Sequence, residues 1–440
     1  MEPINEHDKR VLNNAPFGQL GLITASGCKE MGTEIDHYLT QWRAERQDEH
    51  PDNPSYSGYK QPTYIINSKV PRFGTGEGKG VLDQSVRGMD LYILVDVVNY
   101  SETYKMFSFE NHMSPDDHFA NLKRVIAAVE GKARRITVIM PYLYESLQSK
   151  RTSRESLDCA IALQELVRMG VDNIITFDAH DPRVQNAIPL NGFDTVQPAY
   201  QFIKGLLNTY DDLKIDSNHM LIISPDEGGM KRAVYFANVL GLDMGMFYKR
   251  RDYTRIVNGS YPIRAFEFLG SSVEGKDMVV IDDMLASGDS ALEVAAALKK
   301  RGAKRVFFFA TFGLFTDGLQ KLDEAYDKGI IDKIFTTNLI YQAPELLEKP
   351  WHCSCDLSKY IAYIIDTLNH DSSLSDLLAP AERIWNIVAN YNQEHGITEE
   401  KKRRDAIRQE YQGLLKKLGR KDTLELIRLL KIMLSYEGDL

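Results

Sequence analysis

The stretch VVIDDMLASGDS, residues 279–290, decides the fold of this chain. Its apolar start, Val279 to Ile281, predicts a buried parallel strand, because strands covered on both faces are continuously hydrophobic. Two carboxylates, Asp282 and Asp283, follow the apolar run. A turn of small residues then leads directly into the helix-forming segment 290–302. A strand, a short turn and a helix in this order indicate an α/β protein.

The turn between that strand and that helix has the chemistry of a sugar-phosphate site. Backbone N–H groups at the start of a helix lack intrahelical partners and carry partial positive charge, so they favour a phosphate. Carboxylates at the carboxyl end of a strand favour ribose hydroxyls or a hydrated Mg²⁺. The sequence of this one loop therefore predicts a sugar phosphate as ligand.

Composition excludes several classes of protein. The chain has 440 residues, enough for two or three domains, and its net charge of −9 argues against a general nucleic-acid surface. No apolar run is long enough to span a membrane, and the polar N-terminus has no signal-peptide core. Four cysteines in this length do not make a disulfide framework, which favours a reducing, cytoplasmic setting.

Strand and helix patterns alternate along most of the chain. The predicted strands other than the opening one are 91–98, 135–141, 173–177, 219–224 and 305–311. We expect four regions: a loosely packed extension or cap at 1–60, two α/β domains with mostly parallel sheets at 61–200 and 201–345, and a return segment with a helical extension at 346–440. Cutting the chain after about residue 380 is expected to leave a folded core.

Two polar clusters follow predicted strands, where α/β proteins bind ligands. Asp178-Ala-His180-Asp181 comes after strand 173–177, and His180 could ligate a metal, contact a phosphate or be an ordinary satisfied polar group. Ser224-Pro-Asp-Glu-Gly-Gly229 comes after strand 219–224. Its glycines let the backbone approach a ligand closely, and Asp226 is expected in the same crevice.

Two further clusters are less specific. Lys249-Arg-Arg251 could neutralise charge on a transferring phosphoryl group, or could be a basic hairpin in water. The glycine-rich segment 72–80, RFGTGEGKG, has the look of a phosphate loop but fits neither the Walker pattern nor the full dinucleotide fingerprint.

Taken in order, these clusters resemble the motifs of the ribose-phosphate pyrophosphokinase family. Residues 279–284 resemble its ribose-phosphate loop, 224–229 match its Ser-Pro-Asp-x-Gly-Gly motif, and 178–180 resemble its Asp-Leu-His segment. Val86-Arg-Gly88 matches its entry to an aliphatic strand. The similarity runs from about residue 70 to 378, so 1–60 and 381–440 lie outside it.

The resemblance implies two tandem phosphoribosyltransferase-type, Rossmann-like domains with mostly parallel sheets, followed by a helical C-terminal extension. It also implies a reaction in which ATP transfers its diphosphoryl group to the 1-hydroxyl of ribose 5-phosphate, giving phosphoribosyl pyrophosphate and AMP. The cofactor implied is Mg²⁺, the partners are ATP and ribose 5-phosphate, and the chain is expected to be a homo-oligomer.

Residue roles follow from the same resemblance. Lys249 and Arg251 match the cations that stabilise the transferring group. Asp282 and Asp283 are expected to face the ribose hydroxyls. The residues expected around the 5-phosphate are Ser287, Gly288, Asp289 and Ser290. Those expected to contact ATP are Phe73, Glu77, Gln148 and His180, with Phe73 and Glu77 often acting across a subunit interface. His180 and Asp226 match positions associated with Mg²⁺.

The chain departs from the family pattern at several positions. Ala286 replaces a loop acid, Leu147 replaces an arginine and Phe312 replaces a histidine. Asp289 replaces a glycine and puts negative charge beside the expected phosphate, a repulsion that would cost about 1 kcal/mol. Asp289 avoids this repulsion if it points away and caps the helix. Ala286, Asp289 and Leu147 favour one alternative, a catalytically weak or inactive associated subunit of such an enzyme. A phosphoribosyltransferase that uses the finished product with a base is a second alternative.

Overall fold

Two mainly parallel β-sheets form the computed structural model, which describes residues 14–151, 153–251 and 263–395. The strands of the first half are β1 (Gln19–Thr24), β2 (Ser68–Lys69), β3 (Val81–Leu82), β4 (Met89–Leu94), β5 (Thr103–Met106), β6 (Phe109–His112), β7 (Arg135–Ile139), β8 (Asn173–Phe177) and β9 (Gly192–Val196). Five of them form the first sheet in the order β1-β4-β7-β8-β9, with all neighbours parallel. The helices of this half are α1 (Lys29–Glu49), α2 (Pro115–Val129) and α3 (Asp158–Arg168).

The second sheet is larger and contains the opening stretch of sequence. Its strands are β10 (Met220–Ser224), β11 (Met244–Arg251), β12 (Ile263–Leu269), β13 (Asp277–Leu285), β14 (Arg305–Gly313), β15 (Lys333–Thr337) and β16 (His352–Cys355). They are ordered β12-β11-β10-β13-β14-β15-β16, and all neighbours are parallel except β11 and β12. The prediction of an α/β fold with mostly parallel sheets is confirmed.

The helices of the second half alternate with these strands and then return to both sheets. They are α4 (Ala199–Thr209), α5 (Met230–Leu240), α6 (Asp289–Lys300), α7 (Gln320–Asp327), α8 (Pro344–Leu347), α9 (Ser358–Asn369), α10 (Ser375–Leu378) and α11 (Ala381–Glu394). α9 packs in the core of the first sheet, whereas α4 and α11 pack in a core of the second. No helix in the described ranges is both long and apolar enough to cross a membrane.

The central strands of the second sheet are buried because both of their faces are covered. The side chains of β14 are buried from Val306 to Gly313, and the opening strand β13 is buried from Asp277 to Ile281. Helices α5 and α6 pack on opposite faces, in two separate hydrophobic clusters. This double covering explains why both strands are recognisable as continuous apolar runs.

The first 60 residues are more integrated than the sequence predicts. β1 is the edge strand of the first sheet, in parallel register with β4, and Leu22 and Ile23 are fully buried. Arg43 and Arg46 on α1 are also buried, each with a nitrogen within 2.9 Å of a carboxylate oxygen of Asp366 on α9. The prediction of a loosely packed extension is therefore wrong for residues 19–49. Residues 1–13 lie outside the described part of the chain.

Helix α11 likewise changes the expectation for the C-terminal part. Ile384, Val388 and Tyr391 are buried against the second sheet's core. The Tyr391 hydroxyl donates to the carbonyl of Tyr210 and accepts from the backbone N–H of Leu213. A cut after about residue 380 would remove these contacts, so the expectation that it leaves a folded core is not supported. The remainder of the expected helical extension, 396–440, lies outside the described residues.

Candidate active site

The carboxyl ends of strands from the two sheets meet through charged side chains. β8 ends at Phe177, and the predicted cluster 178–180 follows it directly. β13 carries the paired carboxylates of the opening stretch near its carboxyl end. The contact between them is a hydrogen bond of 2.6 Å between Nδ1 of His180 and Oδ2 of Asp283. Residues separated by about a hundred positions in the chain therefore share one site.

Asp178 is held at this junction by residues from both halves of the chain. It is buried, with a φ of 39° that is uncommon outside glycine. Its carboxylate accepts hydrogen bonds from Arg232 Nε at 2.6 Å, Gln197 Nε2 at 3.0 Å and Thr311 Oγ1 at 2.8 Å. Burial raises the pKa of Asp178, and the neighbouring charge of Arg232 opposes that rise. These partners satisfy the buried carboxylate and fix the direction of segment 178–180.

Arg232 connects the two carboxylates across the junction. Its Nη2 lies 3.3 Å from Oδ2 of Asp283, while its Nε bonds to Asp178. The guanidinium side chain is only 10 % exposed, so it is shielded from the solvent screening that weakens surface ion pairs. It lies in the first turn of α5, immediately after the Ser224–Gly229 segment. Arg232 thereby links the segment after β8 of the first sheet to the carboxyl end of β13 in the second.

The titration behaviour of His180 and Asp283 reflects their direct contact. The hydrogen bond to Asp283 raises the pKa of His180, although partial burial and the charge of Arg232 oppose the shift. Burial alone would raise the pKa of Asp283, but the bond from His180 and the charge of Arg232 outweigh it and lower that pKa. An ionised Asp283 beside a readily protonated His180 is the resulting state.

Asp282 behaves in the opposite way to its neighbour. Burial, followed by the charge of Asp283 and then that of Asp226, raises the pKa of Asp282 well above its usual value. The backbone N–H of Asp283 donates to its Oδ1 at 2.9 Å. Three carboxylates from two strand ends therefore lie close enough to affect one another, an arrangement that favours a cation or several hydroxyl donors between them.

The Ser224–Gly229 segment forms a tight turn around Asp226. Oδ1 of Asp226 accepts from the backbone N–H groups of Gly228 at 2.8 Å and Gly229 at 3.1 Å. A Cβ at Gly229 would lie 3.0 Å from Oγ of Ser224 and 3.4 Å from the carbonyl oxygen of Ile281. The second glycine is thus required by close approach to its own turn and to β13.

The predicted phosphate loop lies between β13 and α6. Gly288 precedes the helix with a φ of 86°, which favours glycine, and Asp289 is the first helical residue. Asp289 does not cap the helix through its side chain. Its carboxylate instead lies 2.8 Å from Nζ of Lys321 and accepts from Oγ of Ser287 at 3.3 Å. The expectation that Asp289 caps α6 is therefore wrong, whereas its carboxylate is exposed to solvent, as the same alternative expects.

Three expected ATP contacts lie in other parts of the described structure. Phe73 is 57 % exposed, and its backbone N–H bonds to the carbonyl of Glu77 within the 72–80 loop. That loop rests on the β5–β6 hairpin, where the N–H of Phe107 donates to the carbonyl of Gly74. Gln148, in the 3₁₀ turn Ser146–Gln148, donates to the carbonyl oxygens of Lys150 and Ser156.

Lys249 and Arg251 lie at the carboxyl end of β11, on either side of Arg250. The backbone of Lys249 is paired with Phe266 of β12, and that of Arg251 with Ile263, with a register shift after Arg250. Their side chains lie outside the described part of the structure.

Two residues at the site, Arg232 and Lys321, are not identified by the sequence analysis. Arg232 follows the glycine turn by three positions, and a cation in the first turn of a helix that opens at a ligand site is a usable signal. Lys321 lies 32 positions from Asp289, and nothing local in the sequence indicates that pairing. Among the described residues, no three histidine, cysteine, aspartate or glutamate side chains lie together so that they could hold a metal ion.

Comparison with known families supports a single assignment for both halves. Residues 20–170 match a family model described as the N-terminal domain of ribose phosphate pyrophosphokinase. Residues 193–349 match a phosphoribosyl transferase domain. The first match begins at residue 20, so it includes β1 and α1, which the sequence interpretation had placed outside the similarity.

Individual proteins agree with these matches. A ribose-phosphate pyrophosphokinase of Mycoplasma genitalium is 30% identical over 275 residues, covering 61% of this chain and 74% of that protein. One from Pasteurella multocida is 29% identical over 317 residues, covering 70% and 90%. The crystal structure of phosphoribosylpyrophosphate synthetase from Mycobacterium smegmatis covers 80% of this chain and 100% of its own, with a TM-score of 0.62 and 20% identity, which supports the fold.

Proposed function

Because this chain belongs to the ribose-phosphate pyrophosphokinase family, we infer that it transfers the diphosphoryl group of ATP to ribose 5-phosphate. The 1-hydroxyl of the sugar attacks the β-phosphorus of ATP, the bond from that phosphorus to the AMP oxygen breaks, and AMP leaves. The products are phosphoribosyl pyrophosphate and AMP. Catalysis of this kind depends mainly on positioning the two substrates and neutralising the transferred charge.

The observation that best supports this reaction is the contact between His180 and Asp283. It brings a side chain expected to contact ATP within 2.6 Å of one expected to contact ribose. Arg232, which lies between Asp178 and Asp283, keeps both carboxylates in place. A reaction between two bound substrates needs such a junction, because the attacking hydroxyl and the phosphorus must approach within about 3–3.5 Å.

The sugar binds at the carboxyl end of β13 in this proposal. Asp282 and Asp283 accept hydrogen bonds from the ribose hydroxyls. The groups that receive the 5-phosphate are the N–H groups and hydroxyls of the turn, contributed by Ser287, Gly288, Asp289 and Ser290. The start of α6 favours the phosphate charge, since its N–H groups have no partner within the helix.

The nucleotide binds on the side of the first sheet. His180 and Gln148 contact ATP, and Lys249 and Arg251 stabilise the charge of the diphosphoryl group as it transfers. Phe73 and Glu77 contact the adenine of a neighbouring subunit, so the active form is a homo-oligomer. The exposed ring of Phe73 supports this role, since a large apolar side chain that is 57 % exposed is available for contact with another surface.

The cofactor in this proposal is Mg²⁺, as the family implies, although the described side chains do not form a ready-made group of three metal ligands. Mg²⁺ prefers carboxylate oxygens, and Asp226 and Asp283 both raise the pKa of Asp282 by their charge. His180 and Asp226 would hold the ion, and bound Mg²⁺ neutralises phosphate charge on ATP. The proposed setting is the cytoplasm, and the four cysteines, none of which forms a disulfide, are compatible with a reducing compartment.

The test is an assay of purified full-length protein with ATP, Mg²⁺ and ribose 5-phosphate, measuring AMP release and phosphoribosyl pyrophosphate. We expect AMP to form only when the sugar phosphate is present. Binding of both substrates without AMP would instead support the associated-subunit alternative suggested by Ala286 and Leu147. Consumption of phosphoribosyl pyrophosphate with a free nucleobase would support a phosphoribosyltransferase.

A further inference from the structure

An ion pair lies on the loop that is proposed to hold the sugar phosphate. Nζ of Lys321, on α7, lies 2.8 Å from Oδ1 of Asp289, the first residue of α6. Oδ2 of the same carboxylate accepts from Oγ of Ser287 at 3.3 Å. The negative charge of Asp289 is therefore next to a hydroxyl that is expected to contact the phosphate. Lys321 is the cation that forms an ion pair with this carboxylate.

The position of Lys321 follows from the packing of β14 and α7 against the loop. β13 and β14 remain in parallel register as far as the pair Leu285 and Gly313. Beyond the strands, the N–H of Thr316 donates to the carbonyl of Ala286 at 2.9 Å. A Cβ at Gly288 would meet Leu322 of α7 at 3.5 Å. The backbone thus places the start of α7 beside the turn, with Lys321 over Asp289.

A second carboxylate steadies the lysine. Asp317, four positions before Lys321 in the turn that precedes α7, has Oδ2 at 3.4 Å from the same Nζ. All three side chains are about half exposed, so the pairs contribute little to folding stability. Their effect on a bound dianion is different, because a phosphate in the turn would lie within a few ångströms of the Asp289 charge.

We propose that Lys321 is a positioning residue of the sugar-phosphate site, which holds the Asp289 carboxylate and neutralises it so that the 5-phosphate can bind. The proposal rests on the proposed function of this loop. It explains how a loop with aspartate in place of the family's glycine can receive a dianion. Lys321 acts through Asp289 and is not assigned a contact with the phosphate itself.

The test is a double-mutant cycle with Lys321→Ala and Asp289→Asn, using ribose 5-phosphate as the probe. In Lys321→Ala the uncompensated charge should raise the KM for ribose 5-phosphate about fivefold, with kcat and the KM for ATP nearly unchanged. In the Asp289→Asn background the same lysine substitution should change that KM by less than about twofold, because the charge it compensates is gone. Calorimetric binding of ribose 5-phosphate to all four proteins should give the same pattern of Kd values.

Lys328→Ala is the matched control, because Lys328 lies just beyond the same helix in a comparable exposed pair with Glu324. It should leave the KM for ribose 5-phosphate unchanged, and melting curves should confirm that all variants fold. An equal effect of Lys321→Ala in both backgrounds, or no effect in either, would overturn the proposal while activity of the parent protein still supported the proposed function. If the parent protein binds ribose 5-phosphate without turnover, only the catalytic assignment fails and the cycle is decided by Kd. Absence of binding would overturn both.

Discussion

Nδ1 of His180 lies 2.6 Å from Oδ2 of Asp283, and this bond joins the carboxyl end of β8 in the first sheet to that of β13 in the second. In the proposed reaction one partner contacts ATP and the other contacts ribose. The residue that is proposed to contact ATP, His180, is therefore hydrogen-bonded to the one that is proposed to contact ribose, Asp283. The geometry of this bond governs how both groups are oriented before the substrates arrive.

Asp283→Asn should lower the pKa of His180 towards its ordinary value, because the hydrogen bond to Asp283 is the largest cause that raises it. A histidine pKa raised by folding means that the pair stabilises the fold below about pH 6.5, and that this contribution is lost as pH rises through the higher folded value. The measurement is a histidine NMR titration, with the His180 signal assigned from a His180→Gln variant. An unchanged His180 pKa in Asp283→Asn would contradict the assignment. Asp181→Asn, which removes the carboxylate next to His180 in the chain, is the control.

Arg232→Met should destabilise the fold by about 3–5 kcal/mol, since it leaves the buried carboxylates of Asp178 and Asp283 without their shared cation. Arg232→Lys keeps the charge but cannot span both carboxylates in the same way, so we expect an intermediate loss. Urea unfolding followed by circular dichroism measures both. Lys231→Ala, which removes an exposed cation from the adjacent position, should change the free energy of unfolding by less than about 0.5 kcal/mol. A neutral result for Arg232→Met would show that Arg232 is not the link between the two sheets.

The sequence predicts the central strands β10, β13 and β14 of the second sheet, because their apolar runs are clear local signals, but it does not identify β12, β15 or β16. The runs 278–281 and 306–309 are continuously apolar and are bounded by charged or small residues. The strand-end clusters around His180, Asp226 and Asp283 are recognisable for the same reason, since their neighbours along the chain define the strand ends. Local pattern was enough to place these residues at one edge of their sheets.

Residues whose partners are distant in the chain could not be predicted in this way. In the sequence, Arg43 and Arg46 look like ordinary solvated charges. In the structure they are buried and paired with Asp366 on α9, which is more than 300 positions away in the chain. Because the first 60 residues are so polar, the sequence predicts a loose cap there and does not predict β1 and α1. Lys321 is a similar case, because its role depends on Asp289, which no nearby pattern connects to it.

Acid should destabilise the protein through Asp366. Its carboxyl group is fully buried, and although burial alone would raise its pKa, Arg43 and Arg46 lower it well below the usual value. A depressed folded pKa means that the stabilising contribution is complete above the unfolded value of about 3.9 and is lost as pH falls below it.

Asp366→Asn tests this by removing the charge. We expect it to lower the free energy of unfolding by about 3–5 kcal/mol at pH 7, because two buried guanidinium groups lose their counter-ion. The difference between parent and variant should shrink when the denaturant titration is repeated at pH 3.5. A difference that stays constant between the two pH values would mean that the charge of Asp366 does not stabilise α1 on α9. Asp371→Asn, an exposed carboxylate just after α9, is the control and should have little effect at either pH.

Lys249→Ala should reduce kcat by about 10²-fold or more, because removing one stabiliser of transition-state charge typically has that effect. The KM for ribose 5-phosphate should change far less, since the proposed role concerns the transferring group. Arg250→Ala is the matched control, as it removes the adjacent cation of β11, to which no catalytic role is assigned. Undiminished turnover in Lys249→Ala, or an equal loss in Arg250→Ala, would refute the role assigned to Lys249.

Truncation tests whether α11 is an integral part of the core of the second sheet. A chain ending at residue 380 loses α11, whose side chains Ile384, Val388 and Tyr391 are buried, and each contributes about 1.5–3 kcal/mol of hydrophobic stabilisation. It also loses the bond from Trp385 Nε1 to the carbonyl of Val239. A chain ending at residue 395 keeps all of these contacts and should melt as one cooperative unit at a higher temperature than the chain ending at 380. We therefore expect insolubility or a much lower Tm only for the shorter chain, and equal melting of the two truncated chains would show that α11 is dispensable for the core.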